Sequence, residues 1–375
     1  MKKPIIALAG SLVVSVVAYG GTLYVSTGGS DENDGLTSAT PLKTVQSAIA
    51  KAETAIDGGE TEMTIFLAAG QHAIAKGGAK TDVSCRIDKP IKLVGQGSSP
   101  SDVTLKIQYS YDWSGSYDAS VVYLDNADAG LFNLTVADGL IVNWGGLTSK
   151  AAICHIQSGV VSNCVLKSGT SRGNNAHCGG VYLGTSAALL LNSRISGNQV
   201  HSTQIDNQGN ANWEWSKAGG VLIDGGRMEN CIVSGCSCPE DASLIDPTAN
   251  RKYAGGVVMT GGSAVNCTIV GNSAYHAGGM FAFGSARIYN CVFAGNSVLE
   301  SNTGAGVDDH ARLWNSEFYY NCASDTVNPI RADQNCIAGT PASFFSDYAN
   351  GNYVPAFGSP LIDAGLSSAD RKSVV

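Results

Sequence analysis

From about residue 150 to residue 320, apolar side chains recur at alternate positions in very short runs, each closed by Asn, Gly or both. Six of these runs align on an Asn followed by Cys or Ser: "NCVLKSG" from Asn163, "NSRISGN" from Asn192, "NCIVSGC" from Asn230, "NCTIVGN" from Asn266, "NCVFAGN" from Asn290 and "NSEFYYN" from Asn315. Two positions after the Cys or Ser stands an apolar residue in every copy: Leu166, Ile195, Val233, Ile269, Phe293 and Phe318. Period-two alternation belongs to strands, whereas a helix repeats its apolar face every three to four residues. The Val- and Ile-rich composition of the runs points the same way.

A second repeated piece precedes four of the copies: "CGGVYLG", "AGGVLIDGG", "AGGVVMTGG" and "AGGMFAFG", with a degenerate "GAGVDDH" ahead of Asn315. A repeat of roughly 20 to 30 residues made of short strands and tight turns is the signature of a solenoid. Three short strands per coil would make it a parallel β-helix, in which like residues of successive coils lie above one another at about 4.8 Å. That geometry gives each repeated letter a purpose. Asn tolerates a left-handed turn and can pass amide hydrogen bonds from coil to coil. Gly-Gly permits a bend that a Cβ would obstruct. Cys164, Cys231, Cys267 and Cys291 become an inward column of small apolar groups, although the coil spacing also lies within disulfide reach between adjacent coils.

A solenoid exposes sheet edges at its ends, and these need covering. After a short strand at "TLYVS", Thr40 offers an N-cap, Pro41 suits the first helical position, and Val45, Ala48, Ile49 and Ala52 form one apolar stripe. We therefore expect a strand and capping helix over residues 21–60, the β-helix over 61–340 and a closing segment over 341–375. Asp31, Asn33 and Asp34, in the loop before the helix, carry oxygens suited to calcium. Their spacing misses the EF-hand pattern and reads as a solvated turn.

Composition narrows the class. The chain has 375 residues, 44% of them hydrophobic and 14% charged, with 46 Gly, enough for a large core and frequent turns. A formal net charge of −8 gives no electrostatic footprint for nucleic acid or an anionic membrane. Lys2 and Lys3, the apolar run from Ile5 to Ala18 and the small residues ending at Gly20 have the layout of a signal peptide over residues 1–20, so the mature protein is expected to be secreted or displayed at the cell surface. Eleven cysteines are odd in number and sit in a long chain, unlike the disulfide framework of a short secreted domain.

The segment "YVSTGGSDENDGLTSATPLKTVQSAI" resembles the opening of secreted bacterial β-helix proteins of the pectate-lyase-like superfamily, and "KPIKLVGQG" resembles the first full coil that follows it. The motifs "GGVY", "GGVL", "GGVV" and "GGMF", with "FAGN" and "FYYN", are similar to the repeats of chlamydial polymorphic outer-membrane proteins. Together these cover roughly residues 23 to 324, and "GSPLIDAG" resembles a closing segment of the same secreted proteins. The resemblance implies a right-handed parallel β-helix and an adhesin-like or carbohydrate-directed protein. Enzymes of the superfamily hold calcium with acidic residues and use Lys or Arg as base, while glycoside hydrolases on the fold group Asp carboxylates.

Candidate chemistry follows from irregular spacing. The Gly-Gly pairs start at residues 179, 219, 255 and 278, so the step shrinks from 40 to 36 to 23. Two coils therefore carry inserts, "VHSTQIDNQGNANWEWSK" and "PEDASLIDPTANRKY", at the same point of the repeat. In-register coils would project both from one side. Trp213, Glu214 and Trp215, with Asp206, His201 and Lys217, and Asp241 and Tyr253 of the second insert, suit sugar rings and hydroxyls. Packing of the tryptophans over a coil edge is the competing reading. The aromatic run "QYSYDWSGSYD" would extend the same surface. Asp308, Asp309 and His310 are the catalytic candidates, because two carboxylates replace the strand apolars Leu222 and Ile223 of an earlier copy; Asp224 shares the column of His310. His155, His177 and His276 stand alone near turns and read as structural, and "CSC" at Cys236 lacks a second metal-ligand pair. The reading is a monomeric glycan- or surface-recognition protein without a cofactor; the alternatives are a polysaccharide lyase or hydrolase, with calcium if a lyase, and a structural surface-layer protein.

Overall fold

The computed structural model describes residues 20–75, 83–108, 118–142, 150–172, 177–201, 217–239, 253–274, 277–298, 307–309, 317–319, 322–323, 337–338 and 340–362. The expected signal segment lies outside them up to residue 19. The chain winds as a parallel β-helix. In one coil it passes through Val181–Leu183, Ala188–Leu191, Arg194–Ser196 and Gln199–His201, then returns at Val221–Ile223, which pairs in parallel with Val181–Leu183. Each such coil thus has four faces, not the three expected. The extra face arises because short Gly-containing turns, such as the one between Leu183 and Ala188, split the segment after the Gly-Gly pair in two. Earlier coils keep those two faces joined, in the long strands Asp118–Phe132 and Cys154–Ser162.

Register bears out five of the six aligned copies; the sixth is displaced, with Phe318 paired to Ile288 of the second face and Ala323 following Phe293 in the third, because the last coil has a different length. Leu166, Ile195, Val233, Ile269 and Phe293 follow one another in a single column of the third face, and all five are fully buried. Turning from the second face into the third, Asn163, Asn192, Asn230, Asn266 and Asn290 adopt φ between 49° and 55°. Asn133, with φ 54°, is an earlier member of this column, hidden in the sequence because Leu134 replaces the Cys. The amides form ladder bonds: Asn163 Nδ2 donates to Asn133 Oδ1 at 3.0 Å, and Asn230 Nδ2 to Asn192 Oδ1 at 3.2 Å.

One turn later a second Asn series lies inside the coil. Asn198, Asn272 and Asn296 are buried and each follows a glycine at φ near 61°. Burial is tolerable because their amides are bonded: Asn272 Nδ2 donates to Asn296 Oδ1 at 2.9 Å, while Asn272 Oδ1 accepts from Cys236 N–H at 2.9 Å. At the Gly-Gly bend, a Cβ on Gly220 or Gly256 would run into the carbonyl oxygen of the next coil's glycine, Gly256 or Gly279.

The cysteine column forms as expected. The side chains of nine cysteines are described, all buried and free. Cys231 Sγ donates to Glu229 O at 3.2 Å and Cys267 Sγ to Val265 O at 3.1 Å. The inter-coil disulfide is therefore not taken up in this column.

A helix, Val45–Asp57, covers the first coils with Val45, Ala48, Ile49 and Ala52 buried in the main core. Its N-cap is Thr44, whose hydroxyl accepts from Ser47 N–H, not Thr40. The helix starts later than expected because Leu42 is held as a strand residue, bridged to Val25 and fully buried. Asp31 accepts from Lys43 N–H, Thr44 N–H and the Thr44 hydroxyl, and Asp34 accepts from Leu36 N–H and the Thr40 hydroxyl. The acidic loop residues thus scaffold the approach to the helix.

At the other end, Pro341–Phe344 is a helical turn followed by an antiparallel hairpin, Phe345–Asp347 with Asn352–Pro355. This strap packs on the outside of the third face, where Phe344 and Phe345 bury against Val270 and Ala294. Among the described residues no helix is long and apolar enough to cross a membrane.

Candidate functional site

The strands of the first face alternate as the pattern requires. Val181, Leu183, Val221, Ile223, Val257 and Met259 point into the main core, while the residues between them point outward. Reading the outward position coil by coil gives Arg86, Tyr123, His155, Tyr182, Leu222, Val258 and Phe281. Its apolar half, Tyr182 to Phe281, is buried in a cluster separate from the main core, together with Ala151, Cys178, Ala218, Ala254 and Ala277.

Its polar half is a stack of rings and cations. The Arg86 guanidinium lies 4.6 Å from the Tyr123 centroid. Tyr123 is 4.4 Å from His155, and His155 is 4.6 Å from Tyr182 in an edge contact. Lys150 Nζ closes the series 4.7 Å from the Tyr182 centroid. His155, expected to be a lone residue near a turn, is therefore the centre of a strand-borne stack. No sequence signal marks this, because its partners come from three different coils.

Hydrogen bonds fix the protonation states. Tyr182 OH donates to Asp224 Oδ2 at 2.8 Å, and Thr260 Oγ1 donates to Asp224 Oδ1 at 2.8 Å. Lys150 Nζ donates to Tyr182 OH at 3.1 Å and reaches Asp224 Oδ2 at 3.4 Å. Burial, and then the Asp224 carboxylate, push the Tyr182 phenol well above its usual value, so it remains a donor at neutral pH. Burial lowers His155 to about 4. It is thus neutral, and because Nδ1 accepts from the Lys150 N–H at 3.3 Å, the ring proton sits on Nε2, facing Gln157 Oε1 at 3.4 Å. These groups hold one another in fixed orientations and leave some donor and acceptor capacity on Lys150 and Asp224, which suits binding of hydroxyl partners better than proton transfer.

The expected site residues divide into those placed and those lying elsewhere. Lys217 and Tyr253 are paired in parallel register, next to the Ala218–Ala254 pair. The last residues of the two inserts are therefore neighbours on adjacent coils, just ahead of the first-face strands Val221–Ile223 and Val257–Met259. His201 ends the strand Gln199–His201, whose last two residues open the first insert, with Nε2 3.1 Å from Gln199 Oε1; burial, then Arg172, lowers its pKa. Asp206, Trp213, Glu214, Trp215, Asp241, His276, His310 and most of "QYSYDWSGSYD" lie outside the described residues. Asp308 takes the register position after Phe281, and Asp309 the position after Ala282. Phe281 belongs to the outer cluster and Ala282 to the main core. The two Asp positions therefore fall in columns of opposite faces. Cys236 and Cys238 bury into different apolar clusters, and among the described residues no three His, Cys, Asp or Glu side chains are grouped to hold a metal.

No family model matches the sequence, and the comparison with curated proteins gives no match. Solved structures do align with the fold. The pectin methylesterase PemA from Erwinia chrysanthemi aligns over 90% of this chain and 99% of its own, with 11% identity and a TM-score of 0.43. Rice weevil pectin methyl esterase aligns over 76% of this chain and 87% of its own, with 14% identity and a TM-score of 0.38. A rhamnogalacturonan lyase aligns over 80% and 87%, with 11% identity and a TM-score of 0.37.

Proposed function

We propose that this protein is an exported recognition protein that binds polysaccharide along the outside of the first face, with the loops leaving the insert corner as one wall. The observation that carries the reading is the Lys217–Tyr253 pairing, which sets the last residues of both inserts next to one another on adjacent coils, one position before the Ala218–Ala254 pair whose column Lys150 also adjoins through Ala151 and Cys178. Half-exposed Lys150, Gln157, Asp224 and Thr260 offer donors and acceptors to sugar hydroxyls. Trp213 and Trp215 would supply ring faces for stacking. Turnover by a lyase or hydrolase is the less favoured reading, since Asp308 and Asp309 fall in opposite columns.

The test incubates the mature protein with acidic and neutral polysaccharides, with and without calcium, and follows new unsaturated or reducing ends alongside binding on a glycan array. Binding without new ends, weakened by Trp213→Ala and by Asp224→Asn, is expected. A dark array, or ends that accumulate with time, would sink the reading.

A further inference from the structure

The second face has an outer surface of its own. One outward column runs Tyr24, Phe66, Val94, Phe132, Ser162 and Leu191 through six consecutive coils. Beside it the neighbouring column contributes Gly130, Val160 and Leu189. Apart from the buried Gly130, these side chains are half-buried, in a surface that sequence alternation alone would assign to solvent.

Phe132 has an unusual posture. A Cβ built on Gly130 would stand 2.6 Å from Phe132 Cε2 and 2.8 Å from Cζ. The ring therefore reclines along its own strand into the space that the missing Gly130 side chain leaves. A reclining ring turns a π-face to solvent instead of an edge. Phe66 and Tyr24, two and three coils further toward the helix-capped end, have ring centroids 5.6 Å apart with a 32° tilt. Lys92 stands in the neighbouring column one coil before Gly130 and is paired with Glu62 at 2.6 Å, and beyond Leu189 and Leu191 Arg227 is paired with Glu229 at 2.8 Å.

We infer that this strip, centred on Phe132, is a second binding platform, for a single neutral polysaccharide chain lying parallel to the solenoid axis. Five coil steps give it a length of about 24 Å, and two adjacent outward columns give it a width near 7 Å. That is about 170 Å², far below the roughly 800 Å² per partner that a stable dimer interface needs. An extended peptide would seek unpaired backbone at a sheet edge; in this part of the face the strands are paired on both sides from Met63–Leu67 to Ala188–Leu191. A chain of pyranose rings needs ring faces and apolar carbons at its contact side and no unpaired charge; the strip presents the rings and carbons, and its one cation, Lys92, is paired with Glu62. The platform is a different surface from the first face, so its fate is separable from the reading above.

The experiment is affinity electrophoresis of the full chain in gels containing hydroxyethylcellulose, with polygalacturonate gels as the acidic comparison. Retardation by hydroxyethylcellulose is expected to weaken about 5- to 10-fold for Phe132→Ala, the loss of one aromatic contact. Phe132→Tyr keeps the ring and should bind as the parent does, which separates lost stacking from lost folding. Every protein compared keeps Trp213 intact, so the difference between the parent and Phe132→Ala reports on this strip alone. Equal retardation of the parent and Phe132→Ala overturns the inference, as does sedimentation showing a parent dimer that Phe132→Ala dissolves.

Discussion

Asn290 Nδ2 donates to Asn266 Oδ1 at 3.0 Å across 24 residues of sequence, and both residues sit at left-handed φ, 54° and 55°. One residue type thus meets two demands: a backbone shape that Cβ-bearing residues resist, and a bond that ties one coil to the next. Asn266→Ala forfeits both and should cost about 1–2 kcal/mol. Asn266→Gly keeps the turn and should cost less. Urea denaturation of both variants checks the order; equal costs would show that the ladder bond, not the left-handed turn, carries the stability, and a reversed order would contradict the account.

His155 gives the fold a pH dependence of definite sign. Its folded pKa is lowered to about 4 by burial, against about 6.5 when unfolded. Above pH 6.5 both states hold it neutral and it carries no penalty. Between pH 6.5 and 4 the unfolded chain takes up the proton first, so stability falls with pH, by about 3 kcal/mol once the drop is complete. Replacing His155 with Gln should flatten the thermal midpoint across this window relative to the parent.

Burial pushes the Cys164 and Cys178 thiols up to about 12, and the nine described cysteines are inside. Since the thiolate is the reactive form, Ellman's reagent at pH 8 should leave at least these nine unmodified in the native protein. In denaturant all should react. Rapid modification of Cys231 or Cys267 before unfolding would contradict the buried column.

The C-terminal strap should be a local unit. Phe344 is fully buried against the third face, and a Phe→Ala change at such a site costs about 3–5 kcal/mol. In a solenoid that cost falls on the neighbouring contacts rather than on the whole chain. Phe344→Ala should raise hydrogen exchange over residues 341–355 and dye binding at the exposed Val270 and Ala294. Exchange in the Val181–Leu183 coil should be unchanged.

Much of the architecture was readable from letters because it rests on local rules. The alternation of Leu166 or Ile195 with polar neighbours, the Asn turns and the Gly-Gly bends each reflect a preference of a few adjacent residues. The differences have one local and one non-local origin. Asn133 escaped because Leu134 broke the Asn-Cys signature, and the helix start was misplaced because Leu42 pairs with Val25, a partner 17 residues back that no cap rule can see. The candidate site was less legible. Asp224 was visible only as a column mate of His310, and the stack of Tyr123, His155 and Tyr182 was not visible at all.

The sequence by itself determined that this chain coils, which residues turn it and which line its interior, since those follow from backbone preference and side-chain period. Only the tertiary structure decided what stands beside what on the outside: His155 between Tyr123 and Tyr182, Phe132 lying over Gly130, the strap on Val270. Coils of unequal length carry no fixed sequence spacing between neighbours, so these contacts exist only once parallel hydrogen bonding has set the register.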